Sequence, residues 1–180
     1  DLAALVRAAH LVNATGPWTD AMRRMEDPSA APAVLGTKGV HIAVPADRIG
    51  NRAAVTMLSP VDGRVMFCLP GVAQTIIGTT DTNTDALPDE VRANRDDVGY
   101  LLESANRFFP AAQLGPRDVI AAWAGIRPLV SGGNKGDPAS ASREHSITLG
   151  PRGVIAISGG KLTTYREIAE QAVNLAVRQL

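Results

Sequence analysis

The segment Ser158-Gly159-Gly160-Lys161-Leu162-Thr163-Thr164-Tyr165-Arg166 places two adjacent glycines, a lysine and two threonines between an apolar run and an amphipathic one. The run Gly153-Val154-Ile155-Ala156-Ile157 predicts a strand, and Tyr165 to Leu180 predicts a helix. A double-glycine turn between them brings backbone N–H groups to a helix start. Partial positive charge there favours an anion or an electron-rich ring. The Walker phosphate loop fails twice: Ile155 stands where its first glycine belongs, and Leu162 follows Lys161 where Ser or Thr is required. A dinucleotide G-x-G-x-x-G is absent from the chain. On residues alone, the turn reads as a ligand-facing loop or as a plain flexible helix start.

Other residues carry chemistry of their own. Arg127, between Ile126 and Pro128, and Arg143, after a Gly/Ser/Pro-rich stretch, stand at predicted strand ends. Arginine suits bidentate capture of phosphate or carboxylate. With Lys161 these two could form an anion pocket if the fold brings them together; otherwise each is a surface ion pair. His41 alternates with apolar neighbours and reads either as a general base or as a sheet histidine satisfied in place. No His, Cys and carboxylate spacing resembles a metal site. Cys68, the one cysteine, cannot form an internal disulfide, and within Val65-Met66-Phe67-Cys68-Leu69 it reads as a buried strand thiol.

Composition sets the outer bounds. At 180 residues, 45% hydrophobic and 20% charged, the chain is an ordinary globular one able to bury a core. A formal net charge of zero and 4% aromatic residues argue against nucleic acid as a partner. No apolar stretch approaches the ~20 residues of a membrane span, and no signal peptide opens the chain. Asp1 is not a start methionine, and the expectation is a piece of a longer protein.

The elements that must position these residues follow from periodicity. Val6 to Asn13 predicts a strand, Gly16 a tight turn, Pro17 a first helical position and Trp18 to Met25 a short helix. From Val34 the period changes to alternation, with Val40, Ile42 and Val44 on one face. Further apolar runs lie at Ala53–Leu58, Arg64–Leu69 and Gln74–Thr79, and Asp62-Gly63 signals a hairpin. Thr80 to Arg92 reads as a loop. Arg95 to Phe109 carries a helical stripe, with Asn94 as its cap, Asp97 three residues on, and Pro110 at its end. Asp118–Trp123 and Ser142–Thr148 predict strands, the second an edge strand, with a loop at Ser131–Ala141.

Six blocks stand in one order: Val12-Asn13-Ala14-Thr15-Gly16-Pro17-Trp18; Gly36-Thr37-Lys38-Gly39-Val40-His41-Ile42-Ala43-Val44-Pro45; Ile76-Ile77-Gly78-Thr79-Thr80-Asp81-Thr82; Gly125-Ile126-Arg127-Pro128-Leu129; Ser142-Arg143-Glu144-His145; and Gly159 to Arg166. The series resembles the FAD-dependent glycerol-3-phosphate dehydrogenases, within the D-amino-acid-oxidase-like flavoenzymes, over nearly the full chain.

The resemblance implies an α/β and α+β fold. A mainly antiparallel-sheet substrate domain with helices on one face spans residues 34–148. Residues 1–27 and 150–180 are later pieces of a discontinuous, Rossmann-like FAD-binding domain. The glycine-rich segment of that domain is expected before Asp1, so the chain alone is expected to bind FAD weakly and to be inactive.

The resemblance also implies roles. Thr15, Gly16, Gly160, Lys161, Leu162 and Thr163 approach the cofactor FAD. Arg127, Arg143 and Lys161 hold the substrate phosphate, and Arg127, Lys161 and His41 are the catalytic candidates. The implied reaction passes hydride from C2 of sn-glycerol 3-phosphate to FAD, giving dihydroxyacetone phosphate, with electrons then passed to a quinone, or to oxygen in the oxidase branch. A bacterial cytoplasmic enzyme, peripheral on the inner membrane and homodimeric, is the corresponding expectation. The alternatives are another oxidase of the same superfamily, acting on a hydroxy or amino acid, and a non-catalytic anion-binding module.

Overall fold

The computed structural model describes residues 4–130 and 144–180. The element order is β1 (Val12–Asn13), α1 (Thr19–Glu26), β2 (Val34–Pro45), α2 (Ala46–Ile49), β3 (Val55–Leu58), β4 (Val65–Pro70), β5 (Gln74–Gly78), β6 (Thr82–Asn83), α3 (Arg95–Phe108), β7 (Ala121–Val130), β8 (His145–Leu149), β9 (Ile155–Gly159) and α4 (Tyr165–Gln179). Short 3-10 turns precede α1 at Gly16–Trp18, β7 at Pro116–Asp118 and α4 at Leu162–Thr164. The chain forms two compact units, Thr37–Ile126 and Asp1–Gly36 with Arg127–Leu180.

The unit Thr37–Ile126 is built on an antiparallel sheet of order β3-β4-β5-β2-β6, with β7 also paired to β2. Alternation decides which residues face inward. Val40, Ile42 and Val44 of β2, Met57 of β3, Met66 and Cys68 of β4 and Ile77 of β5 form one layer against Leu101, Leu102 and Ala105 of α3. Each such side chain, fully buried, contributes ~1.5–3 kcal/mol of hydrophobic stabilisation.

The start of α3 matches the capping signal read from the sequence. The Asn94 side chain accepts the Asp97 N–H at 2.9 Å, and the Asp97 carboxylate accepts the Asn94 N–H at 2.9 Å. That carboxylate also accepts from Lys38 Nζ of β2 at 2.7 Å, and both side chains are nearly buried. One acidic group therefore caps the helix and ties it to the sheet. Past the end of α3, the Asn106 side chain donates to the Leu114 carbonyl at 2.8 Å and accepts the Leu114 N–H at 2.6 Å, folding the segment after Pro110 back on the helix.

The other unit carries a three-stranded sheet of order β1-β9-β8. β9 runs parallel to β1, with Asn13 opposite Ala156, and antiparallel to β8 over five residue pairs. The end of α1 holds the turn into β9: the Glu26 carboxylate accepts the N–H groups of Arg152 at 2.7 Å and Val154 at 3.2 Å.

Several boundaries differ from the sequence reading, for local reasons. The strand expected over Val6–Asn13 is reduced to Val12–Asn13, and Leu5 and Val6 lie exposed, with no partner strand beside them among the described residues. The polar stretch Thr80–Arg92 contains β6, because its backbone pairs with Thr37 and Lys38 of β2. The Asp62-Gly63 hairpin forms between β3 and β4, and its turn runs over six residues between Leu58 and Val65. Asp118 belongs to a 3-10 turn, where its carboxylate accepts the Gly115 N–H at 2.7 Å, so β7 begins only at Ala121. The 34–148 segment set out above ends differently from the compact unit, because β8 pairs with β9 and joins the smaller sheet. The predicted loop Ser131–Ala141 lies outside the described residues.

Two outcomes test this account of the larger sheet. Asn94→Ala removes one cap and lowers stability by about 1 kcal/mol, whereas Asp97→Ala also strands the Lys38 ammonium and costs about 3 kcal/mol or more; urea midpoints of the two variants read the difference. Burial pushes the Cys68 thiol up to about 11. Iodoacetamide at pH 8 therefore leaves it unmodified in the native protein and alkylates it once denaturant is added, as mass spectrometry would record.

Candidate functional site

The double-glycine turn sits at the end of the central strand of the smaller sheet. Ile155 and Ala156 of β9 are buried, which fixes the direction in which the chain leaves the sheet. Gly159 has φ +69° and Gly160 φ +84°, both in the left-handed region. A Cβ on Gly159 would stand 2.5 Å from the Glu144 carbonyl oxygen and 2.5 Å from Val130 Cγ2. One on Gly160 would stand 2.6 Å from Ile168 Cδ1 and 3.1 Å from His145 Cβ. Conformation and space thus both demand glycine at these two positions.

The Gly160 N–H donates to the Glu144 carbonyl at 3.2 Å, which holds the turn against the start of β8. Lys161, Leu162, Thr163 and Thr164 do not lie in the first turn of the long helix. They make a 3-10 turn ahead of it, closed where the Thr164 N–H and hydroxyl both donate to the Lys161 carbonyl at 3.0 Å. The N–H groups of Lys161, Leu162 and Thr163 head this turn, and among the described residues no backbone carbonyl takes them. The side chains of Lys161, Leu162, Thr163 and Tyr165 are all exposed. An open, mostly apolar groove of about 500 Å³ runs beside them, lined by Ala14, Ile157, Gly160, Leu162, Tyr165 and Ile168 among others.

The second predicted cofactor segment shapes the same groove through Ala14. Asn13, buried to 2% exposure, organises it. Its Oδ1 accepts from the Thr15 hydroxyl at 2.7 Å and the Thr15 N–H at 3.3 Å, and its Nδ2 donates to the Thr19 carbonyl at 3.0 Å. Thr19, wholly buried, sends its hydroxyl to the Ile157 carbonyl of β9 at 3.4 Å. Gly16 takes φ +59°, and the Pro128 ring lies 4.0 Å from the place a Cβ would occupy. Sequence reasoning missed Asn13 as the organiser. The available signal was a single Asn at a strand end just before Thr-Gly-Pro, where an Asx side chain can bond to the backbone two residues on.

The structure therefore brings Thr15, Gly16, Gly160, Lys161, Leu162 and Thr163 into one compact unit, in the segments that follow the adjacent parallel strands β1 and β9. Arg127, on β7 next to Pro128, belongs to the same unit, is half-buried and already has an interaction within the protein. Arg143 lies outside the described residues. His41 belongs to the unit Thr37–Ile126. There it pairs with Gly78 across β2 and β5, and its ring stacks on Trp123 with centroids 5.7 Å apart and planes at 11°. Among the described residues no group of three or more His, Cys, Asp and Glu side chains could hold a metal ion, and no helix is long and apolar enough to cross a membrane.

Comparison with known proteins gives this geometry its context. The family model described as FAD dependent oxidoreductase matches residues 3–166. The mitochondrial glycerol-3-phosphate dehydrogenase of Homo sapiens is 40% identical over 176 residues, covering 96% of this chain and 24% of that protein. The aerobic glycerol-3-phosphate dehydrogenase of Staphylococcus aureus (strain USA300) is 35% identical over 175 residues, covering 97% of this chain and 31% of that protein. The crystal structure of the glycerol-3-phosphate dehydrogenase from Bacillus halodurans complexed with FAD superposes with a TM-score of 0.84 at 37% identity, over 96% of this chain and 32% of that one. The chain thus spans about a quarter to a third of the length of the relatives it matches.

Gly160→Ala tests the turn itself. The left-handed backbone alone costs about 1–2 kcal/mol for a residue with a Cβ, and the contact with Ile168 adds to it, so the denaturation midpoint falls, whereas Gly99→Ala, inside α3 with open space at its Cβ, leaves the midpoint unchanged or raises it.

Proposed function

The chain belongs to the FAD-dependent oxidoreductases, and we propose that it serves the oxidation of sn-glycerol 3-phosphate to dihydroxyacetone phosphate. One observation carries this reading: similarity of 35–40% to proteins named for that activity runs along 96–97% of the chain, through both compact units. A likeness confined to a nucleotide-binding fold would not extend across the Thr37–Ile126 sheet.

The residues present fit FAD. The left-handed glycine pair leaves bare backbone at the head of the Leu162–Thr164 turn, and the groove beside it is apolar and open, as a flat aromatic ring system requires. Thr15 and Gly16, with the N–H groups of Lys161, Leu162 and Thr163, would hold it, and N–H donors aimed at one ring edge favour negative charge there. Bound in this way, FAD supplies the acceptor for the hydride that leaves C2 of the substrate.

This chain's own side chains do the rest. Arg127, Arg143 and Lys161 bind the substrate phosphate, a dianion that calls for more than one cation. Fixing the phosphate fixes the distance to C2, which turns binding energy into orientation. His41 is the side chain assigned to take the C2 hydroxyl proton, since an imidazole titrates in the range a base near neutrality needs. We infer further that the electrons pass to a quinone and that the protein is cytoplasmic and peripheral on the inner membrane.

Glycerol 3-phosphate:dye reductase activity of the flavin-loaded holoenzyme tests the reading. Turnover with a hydroxy or amino acid and none with glycerol 3-phosphate would shift it to a sibling oxidase. Hydrogen peroxide formation without quinone-analogue reduction would overturn the quinone assignment, and a purified protein without flavin absorbance would favour an anion-binding module. In the active enzyme, Arg127→Ala raises KM by about one to two orders of magnitude, the equivalent of one charge-assisted bond of roughly 1.5–3 kcal/mol. An unchanged KM would remove Arg127 from the phosphate site.

A further inference from the structure

We propose that Gly78 and Trp123 are positioning residues that hold the His41 imidazole in one orientation on the outer face of the larger sheet. The proposal rests on the assignment of His41 as the base. It concerns residues for which the sequence offered no role: a strand glycine and a strand tryptophan, far apart in the chain.

The register sets the arrangement. His41 of β2 lies opposite Gly78 of β5, and Gly78 lies opposite Phe67 of β4. The three stand in one row across the sheet. Their neighbours Ile42, Ile77 and Cys68 point the other way, into the core. The row therefore lies on the face away from that core, where Phe67 is 41% exposed, His41 half-buried and Gly78 buried.

Gly78 has a φ outside the left-handed region, and a side chain there is excluded by lack of space. A Cβ built there would stand 2.1 Å from His41 Cδ2, 2.7 Å from Cγ and 2.8 Å from Nε2. The imidazole thus lies over the bare backbone of residue 78, in room that any other residue would fill. β7 also pairs with β2 and brings the Trp123 indole against the same ring, nearly parallel to it. Bare backbone below and a stacked indole beside leave the ring few alternatives. A strand histidine has several rotamers available, and proton transfer needs the ring in one.

Three variants of the holoenzyme test this. In Gly78→Ala and Trp123→Ala, kcat with glycerol 3-phosphate is expected to fall roughly 10- to 100-fold, the scale of an ångström-level misplacement, while KM stays within about threefold because neither residue is assigned to the phosphate. Trp123→Phe keeps a ring to stack on and is expected to recover most of the loss. A crystal structure of Gly78→Ala should show the His41 ring turned away from its place over residue 78.

Wild-type kcat in both Ala variants, or an unmoved His41 ring in Gly78→Ala, overturns the proposal. His41→Asn separates the two ideas. If it retains wild-type kcat, the base assignment falls, while the ring position in Gly78→Ala still decides whether these residues hold the imidazole.

Discussion

A chain that leaves a buried central strand and enters a helix must turn sharply, against neighbours on both sides, without stranding its N–H groups in an apolar wall. That constraint governs the smaller unit. β9 is flanked by β1 and β8, so its exit is confined by the Glu144 carbonyl and Val130 at residue 159 and by Ile168 and His145 at residue 160. Only bare backbone in the left-handed region passes through. The consequence is chemical as well as geometric. The helix does not start at once, and a 3-10 turn intervenes whose leading N–H groups meet no backbone carbonyl among the described residues and lie beside an apolar groove. The donors that suit an electron-rich ring follow from the way the strand is allowed to end.

The same economy appears where the larger unit joins its sheet to α3. A cap for the helix and a partner for Lys38 could have been two side chains. Asp97 is both, and being nearly buried it is held from two directions. Such an arrangement fixes the helix in rotation as well as in position, because a carboxylate that caps Asn94 and meets β2 can do so at only one angle. The apolar layer of Leu101, Leu102 and Ala105 then always meets the same inward residues of β2, β4 and β5. The opposite face of that sheet carries His41, with the Trp123 ring stacked against it.

Much of this was legible in the sequence, where period and punctuation agree. The alternation at Val40, Ile42 and Val44, the stripe of α3 with its Asn94–Asp97 cap, and the strand–glycine–helix passage at residues 153–165 all stand in the structure near their expected bounds. The failures have one physical origin: they depend on partners that composition does not reveal. Thr82–Asn83 is polar but pairs because Thr37 and Lys38 lie alongside. Leu5 and Val6 are apolar but find no strand beside them among the described residues. Asn13 gives no periodic signal, yet its three side-chain hydrogen bonds to Thr15 and Thr19 shape the second cofactor segment. The site residues were named largely through resemblance; the geometry brings the predicted flavin-facing group into one unit and puts His41 in the other.

Glycines show why structure adds to such a reading. In the sequence Gly16, Gly78, Gly159 and Gly160 look alike, each beside a chemically suggestive residue. The structure divides them. Gly16, Gly159 and Gly160 have positive φ, and the last two also lack room for a Cβ. Their first duty is to the path of the backbone, and an open N–H edge is its by-product. Gly78 has a φ outside the left-handed region, and the three heavy atoms nearest to a Cβ built there all belong to the His41 ring. Gly78 is the last residue of β5, where glycine offers no side chain to pack but lets another group approach the backbone closely. Here the group that approaches is the His41 imidazole, which ties the identity of residue 78 to the placement of that ring.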